Sequence, residues 1–169
     1  MTYFELFDIP VQLKVNIASL SKKFFELSKK YHPDYFAREN PAAQAEALEK
    51  SALLNKAWKT FQNPDATIKY LLQEKGLLEE EEKYNLPPDF LMEVMDINEQ
   101  LMERDETTDT AALLSLITQL SADIYTPVKE IVENYKDGIT TEKELLQVKE
   151  YYYQKKYLDR INRELQAGK

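Results

Sequence analysis

Of the residues in this chain that could do acid–base or nucleophilic chemistry, the most suggestive sit in one short run. The single histidine, His32, stands two positions from a carboxylate in His32-Pro33-Asp34. An imidazole and a carboxylate commonly move protons together. Here Pro33 fixes φ between them and aims the two side chains at no shared pocket, and no second catalytic cluster accompanies them. An acid–base enzyme is therefore a weak use of this run. The run also makes a stiff turn that carries one carboxylate. Pro33 limits the entropy lost on ordering, and Asp34 offers a charged acceptor. His32 then supplies a ring donor that orients the turn.

Composition removes most other chemistries. The 169 residues include no cysteine, which excludes a disulfide framework, thiolate catalysis and sulfur-ligated metal. One histidine excludes a multi-histidine metal site. Three glycines (Gly76, Gly138 and Gly168) are too few for phosphate-cradling loops. No cofactor is expected. No apolar run reaches the roughly 18 residues of a membrane span, and MTYFELFDIP lacks the layout of a signal peptide, so a cytoplasmic protein is expected.

The elements that position the turn are helical. Ile17, Leu20, Phe24, Leu27 and Tyr31 recur at helical spacing behind Asn16, a plausible N-cap. Lys22, Lys23, Lys29 and Lys30 fall on the other side, which makes that face basic. Pro33 ends the helix at Tyr31 or His32. A second helix starts at Asn40-Pro41, carries six alanines with Leu48, Leu53, Leu54, Trp58 and Phe61, and stops at Asn63-Pro64. A short helix over roughly 65–75 follows.

Charge divides the chain. Residues 1–75 carry a net +2 and residues 76–169 a net −10, giving the −8 of the whole. Between the halves, KGLLEEEEKYNLPPD combines a glycine, four consecutive glutamates and a proline pair, all unfavourable to a continuous helix. The expected organisation is one domain over 1–75, an acidic, proline-containing linker over 76–88, and a three-helix bundle over 89–169.

In the second half, Phe90, Val94, Ile97 and Leu101 form the core stripe of a helix over 89–104. Leu91, Met92, Met95 and Met102 make a surplus apolar set on another side, beside Asp96, Glu99 and Glu103. Methionine is flexible, polarizable and over-used on protein-binding surfaces. The stripe Leu113, Ile117, Leu120, Ile124, Val128, Ile131 and Tyr135 marks a further helix that Pro127 should kink or break. Lys136-Asp137-Gly138 is a helix stop, and Thr141 with Glu144 is a capping box for the last helix. Val148, Tyr151, Leu158, Ile161 and Leu165 supply its core stripe. Leu146, Tyr153 and Tyr157 fall outside it as an aromatic surface.

A basic helix, His32-Pro33-Asp34 and an alanine-rich helix together resemble the J domain of Hsp-seventy-class co-chaperones. The opening YFELFDIP, the acidic helical tail and FLMEVMDINEQL extend the resemblance over the whole chain to the HscB family of J-type co-chaperones in iron–sulfur cluster biogenesis. The family implies an all-α fold: a J domain (an antiparallel helical hairpin with short flanking helices) followed by a C-terminal three-helix bundle. It implies no enzyme activity of the chain's own. It also implies two partners: a DnaK/HscA-type ATP-dependent chaperone, whose ATPase is stimulated, and the iron–sulfur scaffold protein, which is delivered to it. The chaperone-binding residues are then His32, Pro33, Asp34, Lys22, Lys23, Lys29, Lys30 and Tyr31. The scaffold-binding residues are Leu91, Met92, Met95, Asp96, Glu99, Glu103 and Tyr153. Met95 stands where leucine is familiar, and Tyr153 where phenylalanine is, so its hydroxyl must stay wet or find a partner. A J protein serving a different client is the alternative. A nucleic-acid binder using the lysine face is opposed by the overall acidity. No membrane partner is expected, and the chain is expected to be a monomer.

Overall fold

The computed structural model describes residues 1–36 and 38–167. Among them every regular element is helical and no strand occurs. The chain divides into two compact units, Met1–Glu74 with Tyr135–Ile139, and Lys75–Asn134 with Thr140–Lys169.

The first unit contains α1 (Tyr3–Leu6), α2 (Ile17–Lys30), a 3-10 turn (Pro33–Phe36), α3 (Pro41–Phe61) and α4 (Pro64–Glu74). Four residues cannot hold a helix on propensity alone. A capping box fixes α1: the Glu5 N–H donates to the Thr2 hydroxyl and the Thr2 N–H to the Glu5 carboxylate, both at 3.1 Å. Phe4 and Phe7 are buried against Phe61. Tyr70 stacks on Tyr3 at 4.2 Å and accepts its N–H at 2.9 Å, and burial pushes this phenol up to about 12.

α2 begins behind its predicted cap, with the Asn16 side chain accepting the Ser19 N–H at 3.2 Å. Its stripe is less evenly covered than the spacing implies. Leu20 is in the core and Phe24 stacks on Trp58 at 4.8 Å, whereas Ile17 is 40% exposed. α3 opens with Asn40 accepting the Ala43 N–H at 2.8 Å and Pro41 in its first turn. Leu48, one of its apolar residues, is exposed. Ala47, one position away and about 100° around the helix, takes the buried place.

The second unit contains α5 (Pro88–Met102), α6 (Thr110–Tyr125), a 3-10 turn (Thr126–Val128), α7 (Lys129–Glu133) and α8 (Glu142–Ala167). Phe90, Val94, Ile97 and Leu101 of α5 pack with Leu113, Ile117 and Leu120 of α6 and Leu158, Ile161 and Leu165 of α8 in one core. Pro127 breaks the second helix as its missing N–H requires. The tighter 3-10 turn also shifts the register beyond it, so Val132 is buried where Ile131 was expected to be. α7 stops at Glu133, before the predicted stop, while Gly138 adopts the left-handed φ of +80°. The capping box of α8 forms: the Glu144 N–H donates to the Thr141 hydroxyl at 3.1 Å and the Thr141 N–H to Glu144 at 3.0 Å.

The stretch between α4 and α5 contains no helix, yet it is not a free linker. Glu82 pairs with Lys149 of α8 at 2.6 Å, and Tyr84 stacks on Tyr153 of α8 at 4.7 Å. The four glutamates were expected, by mutual repulsion, to disfavour a continuous helix. One of them also has a dedicated cation.

Candidate partner-docking surfaces

The first surface is the turn after α2. α2 ends with Lys29 and Lys30 in its last turn, where cations complement the helix dipole. Tyr31 is held between two cations, with Lys30 Nζ 5.3 Å and Lys50 Nζ 5.2 Å from its ring centroid. Pro33 then opens the 3-10 turn, so Asp34 lies in a short helical turn rather than in an irregular loop. The Asp34 N–H donates to His32 Nδ1 at 3.2 Å, and the same ring nitrogen lies 3.6 Å from the Asp34 carboxylate. This corrects the expectation that His32 orients the turn as a donor. Its Nδ1 accepts, and the ring's donor is Nε2, facing away from that bond. The Asp34 side chain is 91% exposed. A carboxylate this exposed can exchange solvent for a partner's donor without disrupting the fold.

The lysines divide by role. Lys22, Lys29 and Lys30 are exposed. Lys23 is half-buried and donates from Nζ to the carbonyls of Phe7 at 3.2 Å and Asp8 at 2.9 Å. It ties α2 to the end of α1, where Asp8 adopts a left-handed φ of 52°. Its charge therefore neutralises orphan carbonyls of α1 more than it serves docking. Two exposed aromatics on this unit were missed by the sequence reading. Phe25 is 64% exposed, and Tyr35 is 70% exposed with its ring edge-on to His32 at 6.2 Å. Phe25 is off the core stripe by one position, and that was the available signal.

The second surface is the outward face of α5. Met92 is 69% exposed, Met95 66% and Met102 87%. With Asp96, Asn98, Glu99 and Glu103 they line one shallow depression. The spacing explains this, since each of 92, 95, 96, 99, 102 and 103 has another of the set three or four residues away, while the core stripe uses the other side. Leu91, expected with this set, is instead half-buried against the core and does not line the depression.

Tyr153 is not part of an exposed aromatic surface. Only 9% of it is accessible, beneath Tyr84, and its hydroxyl donates to Glu82 at 3.4 Å. Burial and the Glu82 charge push this phenol up to about 12. The hydroxyl needed a partner and found one within the chain. Tyr157 is likewise half-covered against the core, and of the predicted set only Leu146 is exposed, at 44%.

The two surfaces differ in chemistry. One is an anionic tip on a cationic helix end, and the other is a soft apolar stripe bounded by carboxylates. A family model described as the HSCB C-terminal oligomerisation domain matches residues 86–166. Two solved structures are similar over 99% of this chain. The human co-chaperone protein HscB is 24% identical, with 82% of its chain covered and a TM-score of 0.82. Chaperone HscB from Vibrio cholerae is 26% identical, with 96% of its chain covered and a TM-score of 0.76. The second unit thus matches a domain of the HscB family, and 99% of the chain is similar to the Vibrio HscB structure.

Proposed function

We propose that this chain is a co-chaperone of iron–sulfur cluster assembly, holding the scaffold protein on α5 of its second unit and activating the ATPase of a DnaK/HscA-type chaperone through the turn of its first. The first 75 residues act as the J domain, residues 76–88 as a connector fastened to α8, and residues 89–169 as the scaffold-binding bundle. The observation that carries this reading is Asp34: a carboxylate 91% exposed, on a proline-initiated turn at the end of a helix whose last turn is basic. Such a group biases a partner between two states by binding one of them better, and the hydrolysis occurs in the partner's own nucleotide site. Lys22, Lys29 and Lys30 speed and orient the encounter with an acidic chaperone surface. Carrying both partners on one chain raises their effective concentration. The carboxylates around the methionine face repel a second copy of the same face, which favours a monomer.

The coupled assay is chaperone ATP hydrolysis with the co-chaperone, measured with and without scaffold. Stimulation by the co-chaperone that scaffold increases further is the expected result. No stimulation in either condition removes the reading. A different client is the second reading, favoured by Tyr153, whose ring and hydroxyl are taken up by Tyr84 and Glu82. Scaffold titration separates the two: absence of saturation by tens of micromolar favours the other client.

A further inference from the structure

The chain's sulfur is concentrated on one surface. There is no cysteine, and three of the four methionines stand on the outward face of α5 at 69%, 66% and 87% exposure. The core cluster of the same unit contains no methionine. We propose that this face is a methionine-oxidation site through which peroxide switches off scaffold docking while leaving the chaperone-activating turn intact. This regulation rests on the docking role proposed for α5.

The chemistry is a two-electron oxygen transfer from hydrogen peroxide. A thioether lone pair attacks one peroxide oxygen, the S–O bond forms as the O–O bond breaks, and the departing hydroxide takes up the proton of the transferred hydroxyl. Sulfoxide and water result, with sulfur oxidised and peroxide reduced by the same two electrons. With no thiol in the chain to consume the oxidant first, exposed thioethers are its most readily oxidised groups.

The consequence follows from the surroundings. A thioether is apolar and adapts its shape to a partner. A sulfoxide is polar and must be desolvated when the partner docks. Its oxygen is an acceptor, added beside Asp96, Glu99 and Glu103, which already make the face negative. Docking is thereby weakened twice, by lost apolar contact and by added negative dipole. Because these side chains project away from the core of Phe90, Val94, Ile97 and Leu101, the bundle is not disturbed. His32, Pro33, Asp34 and the lysines of α2 contain no sulfur. Oxidation therefore separates the two functions instead of destroying the protein.

The test treats the full chain with hydrogen peroxide, removes the peroxide, maps sulfoxide by mass spectrometry and titrates purified scaffold protein. Expected are sulfoxide at Met92, Met95 and Met102, and at Met1, which is 76% exposed and which the leucine variant below retains, with about tenfold or greater loss of affinity, unchanged helicity by circular dichroism, and recovery with the paired sulfoxide reductases. Bound scaffold should protect Met92 and Met95 from oxidation. The variant M92L/M95L/M102L removes the sulfur at similar volume, and its affinity, compared only with that of its own untreated form, should not respond to peroxide. Wild-type binding that survives complete oxidation overturns the switch alone, as does an equal loss in the leucine variant or unfolding on oxidation. Failure of the untreated protein to bind scaffold at all overturns the docking role of α5 and the switch with it.

Discussion

The turn after α2 and the outer face of α5 are opposite solutions to partner binding. The turn is polar and stiff. Proline fixes one φ, a backbone N–H is tied to His32 Nδ1, and Tyr31 is held between two lysines, leaving one carboxylate to vary. The α5 face is apolar and pliable, built from side chains with three rotatable bonds each. The first suits a lever, in which a single charge must arrive at a fixed place. The second suits a grip, in which area and adaptability matter more than any one atom. The turn should therefore fail completely on one substitution, whereas the grip should fade by degrees.

The sharpest break is Asp34→Asn. It keeps the shape and the turn but removes the charge from a group that is 91% exposed. Chaperone ATPase stimulation should fall by at least about tenfold, with melting temperature unchanged, because exposed substitutions stay within about 0.5 kcal/mol. Residual stimulation near the wild-type value removes the lever. The grip is tested across a single helix. Met92→Ala with Met95→Ala should weaken scaffold binding by about tenfold and leave stability nearly intact. Phe90→Ala, on the buried side of α5, should cost about 3–5 kcal/mol in chemical denaturation. Similar melting losses for both would place the methionines in the core.

These two surfaces were legible in the sequence for different reasons. Proline and asparagine punctuation fixes helix ends locally, so Asn16, Asn40-Pro41 and Pro127 bound their elements where expected. The surplus apolar set on α5 was visible because a helix in a small bundle needs only one stripe. What the spacing could not show is pairing between distant segments. Tyr153 is off the core stripe of α8 and so reads as exposed; its cover is Tyr84, 69 positions earlier in a run of charge that gives no sign of packing. Lys23 reads like Lys22, yet the carbonyls it caps are on a helix whose position no local pattern supplies. Periodicity reports which face of an element is apolar, not which loop returns to cover the rest.

The lysines refine the lever by a smaller amount. Changing Lys22, Lys29 and Lys30 to alanine should lower the association rate with the chaperone, and the difference should shrink as salt is raised through the physiological range. Lys23→Ala should behave otherwise. It removes charge-assisted hydrogen bonds to Phe7 and Asp8, so about 1–2 kcal/mol of stability should be lost in denaturant titration. An effect of Lys23→Ala on association equal to that of the other three, with no loss of stability, would return it to the docking face.

The smallest effect lies in the connector, which is fastened to α8, a helix packed in one core with the grip's α5. The hydrogen bond from Lys149, then the Glu79 N–H, hold the Glu82 carboxyl below its usual 4.5. A carboxylate whose folded value is depressed contributes stability that is complete above its ordinary value and is lost as pH falls through the lower one. The connector should therefore stay fastened at neutral pH and loosen only below about pH 4.5, with the near-ultraviolet circular dichroism of the Tyr84–Tyr153 stack reporting the change. Glu82→Gln keeps the shape without the titrating proton, so its tyrosine signal should be weaker at pH 7 and should lose this acid transition. If the variant retains the wild-type transition, another group controls the connector, and the burial of Tyr153 owes nothing to the Glu82–Lys149 pair.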